Sequence, residues 1–399
     1  MRILHTSDWH LGQELYGFRR DDEYEHFFRQ LVDIVKSYQP DVMVVSGDIF
    51  HTPAPSATAR KQYVEAVLQV HEAYPEMRIV ITAGNHDSAA RLEVDSRLWL
   101  FFNVHVIGNL RRDAQTVDCQ EHIILVPGKG YVVPVPHVYP HNIPLAPEDD
   151  DKMKALFKLL LEETEKQNTH HLPVVLMAHL AVGGCDITGH QNFNDGVGGM
   201  EYVSSNAFDG HYDYVALGHI HRQQNVPNNN DKIRYSGTPL AVHFDEDYEH
   251  AVSVVDVEYG QMPKVTSIPI SPLRPLVTLP DEPVDFDEAI KILESFDPGK
   301  EAYIRLYVNL NDGLPPYCAE RAAKAVNGKK CRFCTFKRFD NMPRTQNQQL
   351  EDISPDQLKM LTPADVAKKY MEGKGFSDET IAEFASMMAE VMKNFNNIP

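Results

Sequence analysis

Apolar residues follow two rhythms along the first 270 positions of the chain. Short unbroken apolar runs, the mark of strands buried on both faces, alternate with stretches where apolar residues recur every three or four positions, the mark of amphipathic helices. The runs are Ile3-Leu4 inside MRILHTSDWHL, then VMVVSGD (Val42 to Asp48), IVITAGNHD (Ile79 to Asp87), PVVLMAH (Pro173 to His179) and YVALGHIH (Tyr214 to His221). Between them, Tyr24, Phe27, Phe28, Leu31, Ile34 and Val35 predict a helix over Asp21 to Tyr38, stopped by Gln39-Pro40. Ser56 is placed as the N-cap of a second helix reaching Tyr74, and a third runs from Asp150 to Lys166. Further strands are predicted at Val104 to Ile107, His122 to Val126, Tyr131 to Val135, Ile233 to Tyr235, Ala251 to Val257 and Val265 to Ile268. Strand and helix in alternation predict a largely parallel sheet with crossover helices. A ligand site in such a fold lies beyond the carboxyl ends of the strands.

A boundary is placed at Pro272 to Pro275, closing a first unit over 1–270. A smaller α/β pattern follows over 275–340: strand Leu276 to Leu279, helix Asp285 to Phe296, strand Ala302 to Leu310, helix Pro316 to Val326 and strand Cys331 to Phe339. Residues 341–355 read as a linker, most polar from Pro343 to Gln349. Residues 356–399 read as a helical hairpin. Thr362-Pro363 opens its first helix, Gly373 and Gly375 close it, and Phe376, Ser377 and Ile381 staple the second. That second helix places Ile381, Phe384, Met388, Val391, Met392 and Phe395 on one face. The glycine-rich stretch Val182 to Gly199 is expected to be a mobile loop beside the site.

Composition narrows the class. The 399 residues are 43% apolar, enough for a real core, and no apolar run approaches a membrane span. Met1-Arg2 leads straight into the first strand without a signal-peptide pattern, so a cytoplasmic protein with no membrane partner is expected. The five cysteines do not form a disulfide framework, and Cys331-x-x-Cys334 lacks the second ligand pair that zinc needs; its alternating setting reads as a strand. The formal charge of −19 opposes bulk attraction to nucleic acid. One segment runs against it: Cys318 to Arg344 carries eight Lys and Arg against two acids, and Lys329, Lys330 and Lys337 are its candidate phosphate contacts.

The ends of the apolar runs carry the chemistry. Asp8 and His10 stand two apart at a strand tip, where side chains alternate and so point the same way. With them come Asp48, Asn85, His179, His219 and His221, all nitrogen and oxygen donors. Two divalent ions sharing one carboxylate would use this set, and its mix of imidazole, carboxylate and amide favours manganese, iron or zinc over magnesium or calcium. Such a pair activates water and clamps a phosphoryl group. Gly47, Gly84 and Gly218 precede ligands, where a side chain is expected to crowd the substrate. His86 is the candidate general acid, with Asp87 holding its imidazole in the right tautomer.

In this order, Asp-x-His, Gly-Asp, Gly-Asn-His-Asp, a lone His after a strand and Gly-His-x-His resemble the calcineurin-type metallophosphoesterases. The stretches HTSDWHLG, GDIFHTPAPS and GHIH followed by YSGTP resemble, more narrowly, the bacterial nuclease subunits of that family that work with an SMC-like ATPase. The resemblance implies an α/β metallophosphoesterase sandwich with a small α/β capping domain and a C-terminal helical hairpin that docks the ATPase. It implies one ion on Asp8, His10, Asp48 and His221, and a second on Asp48, Asn85, His179 and His219, with Asp48 bridging. It makes His86 the catalytic histidine and gives His51 a part in exonuclease activity. It also implies two Mn2+, 3′–5′ exonuclease action on duplex DNA ends, endonuclease action on single strands and hairpins, and a homodimer.

Two other readings stand beside this one. A phosphomonoesterase or cyclic-nucleotide phosphodiesterase would use the same ions, but has little need of the residues that follow the first unit. A non-catalytic adaptor would keep the ions for structure and would tolerate loss of His86.

Overall fold

The computed structural model describes residues 1–339 except 114–115, 145–150, 189–201, 209–211, 228–230 and 310–314, together with Phe384. The expected linker, the remainder of the helical hairpin and most of the glycine-rich loop lie outside the described residues.

The first unit holds two six-stranded sheets where the sequence pattern predicted one. In the first, Arg2–Thr6, Val42–Ser46, Arg78–Thr82 and Val104–Ile107 pair in parallel, and Ala251–Asp256 and Lys264–Pro269 extend the edge antiparallel. In the second, Gly130–Pro134, Val174–His179, Tyr214–Gly218 and Ile233–Tyr235 are parallel, with antiparallel edges at Ile124–Val126 and Gln224–Asn225. Alternate residues of each strand divide between two cores, which is why the runs are apolar throughout. Ile3, Val42, Val44 and Val80 meet Val132, Val175, Met177 and Ala216 between the sheets. Leu4, Met43, Val45, Ile79 and Ile81 turn outward under the helices Asp21–Tyr38 and Ala57–Ala73. Val133, Leu176, Ala178 and Leu217 do the same under Lys152–Glu165. The result is a helix–sheet–sheet–helix sandwich, and the Ser56 hydroxyl accepts from the Ala59 amide as the expected N-cap.

Three details depart from the sequence reading. His122 ends a 3-10 turn, Cys119–His122, and not a strand, because its Nδ1 pairs with the Pro134 carbonyl oxygen at 2.8 Å and its Nε2 accepts from the Arg111 amide. The strand that begins at Leu276 runs on to Val284, its register shifting between Leu279 and Val284. A short hairpin, Glu14–Leu15 with Phe18–Arg19, has no apolar run to announce it; Tyr16 and Gly17 both take positive φ, the I′ geometry that suits a two-residue turn.

Leu276–Val284, Tyr303–Asn309 and Arg332–Phe339 form a separate, wholly parallel sheet under the helices Phe286–Ser295 and Cys318–Ala325, with its own core. Cys331 and Cys334 are free thiols at the start of its last strand. Four of the basic side chains nearby have internal partners. Lys329 Nζ donates to the carbonyls of Leu293 and Phe296 at 2.8 and 2.9 Å, closing the end of the Phe286–Ser295 helix. Arg321 pairs with Asp287, Lys337 lies over the Tyr307 ring, and Arg332 donates to the Tyr303 hydroxyl and the Arg19 carbonyl.

Candidate metal centre

The carboxyl ends of five central strands, three from the first sheet and two from the second, meet at one mouth. The backbone there is bent out of strand geometry. Asp8, His10, Asp48 and His219 all take positive φ, at 52°, 49°, 50° and 99°. Non-glycine residues hold that region only where surrounding contacts over-determine it, and such strain collects at functional sites. The fixing contacts are visible. The Asp8 and His10 amides donate to the Gly47 and Asp48 carbonyls, and the His219 amide donates to the Asp8 carboxylate at 3.0 Å. The Thr238 hydroxyl, within the YSGTP stretch, donates to the Asp8 carbonyl at 2.8 Å. The three glycines are needed for close approach, but to ligands and backbone and not to substrate. A Cβ at Gly84 would lie 2.1 Å from an Asp48 carboxylate oxygen, one at Gly47 2.2 Å from the His179 ring, and one at Gly218 1.8 Å from the Ser46 carbonyl.

The seven donors are brought together. Asp48 Oδ1 accepts the His86 amide at 2.9 Å, which leaves Oδ2 between two histidines, 3.7 Å from His10 Nε2 and 3.4 Å from His179 Nε2. On one side His10 Nε2 faces His221 Nε2 at 3.1 Å, and these two with Asp8 form a compact donor group. On the other side Asn85 Oδ1 lies 3.0 Å from both His179 Nε2 and His219 Nδ1. Asp8, His10, Asp48, His179 and His221 are almost wholly buried.

This arrangement fits divalent cations. The Nδ1–H groups of His179 and His221 are taken by the Ser46 carbonyl and the Glu246 carboxylate, each at 2.8 Å. Their Nε2 lone pairs therefore point inward, the tautomer a metal requires. Lone pairs that face one another at 3 Å repel until a cation lies between them. The local field has the matching sign. Burial disfavours a charged His179, yet the Asp48 and Asp8 carboxylates outweigh it and push the imidazole up to about 9. Burial likewise opposes ionisation of Asp48, and His179 and His10 nevertheless hold it well below the usual carboxylate range. A cation would displace the His179 proton and take over its role.

Glu246 was not singled out by the sequence. It is buried, accepts from His221 Nδ1 and from the Val242 amide at 3.0 Å, and carries no strand-end signature. The three residues given catalytic roles divide. The His86 ring stacks on His51 at 5.7 Å and meets His10 edge-on at 5.0 Å, so His86 and His51 both border the donors. Burial, then His86, pushes His51 down to about 4. Asp87 does otherwise than expected. Its carboxylate accepts the backbone amides of Ile49, Phe50 and Gly84 at 2.9–3.0 Å, pinning the Asp48 loop to the Asn85 loop. The His51 carbonyl lies 2.9 Å from His86 Nδ1 and helps to orient that ring.

A family model described as calcineurin-like phosphoesterase matches residues 1–223, more than half of the chain, and the chain belongs to that family. Within it, the likeness is to proteins named as SbcD, a subunit of the nuclease SbcCD. The one from Rhodobacter capsulatus is 33% identical over 70% of this chain and 72% of its own. That of Bacillus subtilis is 31% identical over 93% of both chains, and that of Escherichia coli 29% over 70% of each.

Proposed function

We propose that the chain is the DNA-cleaving subunit of an SbcCD-type complex, a manganese-dependent phosphodiester hydrolase acting in DNA repair, recombination and replication. It removes nucleotides 3′ to 5′ from duplex ends and cuts single strands and hairpins. The observation that carries this reading is the pair of donor groups sharing Asp48 Oδ2. Asp8, His10, Asp48 and His221 would hold one Mn2+, and Asp48, Asn85, His179 and His219 the other. Bound there, such ions would lower the pKa of water and polarise the phosphoryl group. The chain's own residues do the rest. His51 and His86 line the approach to the donors. With Nδ1–H donating to the His51 carbonyl, His86 presents Nε2 as the atom that gives a proton to the leaving oxygen.

Residues 1–270 form the catalytic unit and 275–340 the cap; 341–355 link them to a hairpin at 356–399 that docks an SbcC-type SMC-like ATPase. The apolar stripe through Phe384 and Met388 has the anchor spacing of helix docking. Phe384→Asp with Met388→Asp is expected to abolish co-purification with the ATPase. A homodimer would have a surface to use: Val94, in a turn, Leu98, on the helix Ser96–Trp99, and Phe101, on the 3-10 turn that follows, are 68%, 62% and 85% exposed. Leu98→Asp is expected to give monomers in sedimentation. The setting is cytoplasmic; no helix among the described residues is long and apolar enough to cross a membrane.

The test compares hairpin, blunt duplex and single-stranded DNA with nitrophenyl phosphate, all with manganese, with and without the ATPase. DNA cleavage is expected to lead. His86→Ala should lower turnover by about 10²–10⁴ while both manganese sites remain in calorimetry. Hydrolysis of nitrophenyl phosphate with no cleavage of DNA would return the chain to the phosphomonoesterase reading.

A further inference from the structure

Three aromatic rings lead outward from the centre along the loop after the Gly130–Pro134 strand. The His137 ring meets His179 edge-on, with centroids 6.1 Å apart, and meets Tyr139 edge-on at 4.9 Å. Tyr139 stacks on His141, with centroids 5.5 Å apart and planes 20° from parallel. The row is held at both ends. At the inner end the His137 amide donates to the Ala83 carbonyl at 2.8 Å, and its ring Nδ1 lies 3.3 Å from the His179 carbonyl. At the outer end the Asn142 amide donates to the Tyr139 carbonyl at 2.8 Å. Yet the two outer rings face water: Tyr139 is 52% exposed and His141 is exposed too.

A stacked aromatic pair in solvent, tied by a third ring to a ligand histidine, adds little to the core. Its faces suit another flat ring. We propose that Tyr139 and His141 form a nucleobase-stacking subsite for the unpaired nucleotide beside the scissile phosphate. This rests on the nuclease reading and adds to it where the base goes. Tyr139 stands two ring contacts from His179, of 6.1 and 4.9 Å, so it lies within about one nucleotide of the centre. Stacking tolerates any sequence, because every base has a π-face. It also favours single-stranded or frayed DNA, since a base within a duplex already has stacking partners on both sides.

The experiment uses the full chain with manganese and single-stranded oligonucleotides in which one abasic tetrahydrofuran residue is stepped past the cleaved bond. The wild type should show KM raised about tenfold, the scale of one lost stack, when the abasic residue occupies one position next to that bond, with kcat little changed. Tyr139→Ala should show that raised KM on intact DNA and no further rise on the abasic strand. Tyr139→Phe should keep the wild-type pattern. Melting temperature and manganese calorimetry report that the variant's fold and centre are intact. A wild-type KM indifferent to the abasic residue at every position, or a penalty that adds in full to that of Tyr139→Ala, overturns the subsite and leaves the nuclease reading standing. A wild type that cleaves no DNA overturns both.

Discussion

Single residues at this centre are fixed by what lies behind them. Glu246 is the clearest case, because it holds a donor histidine from behind. Its carboxylate holds the His221 ring in the tautomer that aims Nε2 inward. Glu246→Ala should weaken manganese binding at one of the two sites by about 10–100-fold, the usual effect of losing such a partner. Glu246→Gln should recover part of it, because an amide oxygen still accepts from Nδ1–H. Calorimetry resolves the two sites; equal loss at both, or none, would make Glu246 only a packing residue. The seven residues that meet at this mouth were legible in the sequence, because a His, Asp or Asn at the tip of an apolar run is recognised without knowledge of its partners. Glu246 was not. It lies in an irregular, polar stretch, and its meaning depends on the chain returning beneath residue 221. Asp87 was misread for a related reason: adjacency to His86 in sequence says nothing about which way a side chain leaves a tight turn.

At the scale of elements, periodicity reported strands and helices but not which strands share a sheet. Runs apolar on every residue fit one deep sheet or two stacked ones equally well, and only pairing decides. Charge counting likewise says nothing about where each cation points. Within the basic segment from Cys318 to Arg344, a candidate for phosphate contact or a solvated face, the Lys329 ammonium is drawn to the carbonyls at the end of the Phe286–Ser295 helix. A cation there offsets the negative end of the helix dipole. Lys329→Gln is therefore expected to destabilise the cap by about 1–2 kcal/mol. The salt slope of DNA binding should not change, whereas a lost phosphate contact would lower it by about 0.9. Parallel denaturation and salt-titration measurements separate the two, and a shallower slope with unchanged stability would restore the phosphate contact.

At the scale of the molecule, the cap is tied to the catalytic unit through a buried charge. Glu23, on the Asp21–Tyr38 helix, is 1% exposed and accepts from Arg20 at 2.9 Å and from the Tyr303 hydroxyl of the cap at 2.5 Å. Arg274, at the boundary, reaches the same carboxylate at 3.3 Å. Leu15 and Phe18 of the unforeseen hairpin pack beside Tyr303, and Arg332 covers the Phe18 ring. The next residue along the helix, Tyr24, donates its hydroxyl to the His10 carbonyl at 2.6 Å, so one helix contacts both the cap and a metal-donor loop. Two substitutions separate the parts of this seam. Tyr303→Phe removes one donor from a carboxylate that keeps its arginines, a loss of about 1.5–3 kcal/mol for a hydrogen bond to a charged group. Glu23→Ala leaves Arg20 buried without its counter-charge, which costs about 3–5 kcal/mol. Tyr303→Phe should therefore loosen the cap alone: amide exchange should quicken over residues 276–309, while the strands Val42–Ser46 and Val174–His179 stay protected and manganese binding is kept. Glu23→Ala should quicken exchange in the Asp21–Tyr38 helix as well, and manganese binding should weaken through Tyr24 and His10. If Tyr303→Phe instead quickens exchange throughout both sheets, cap and catalytic unit unfold as one body, and the seam is simply part of a single core.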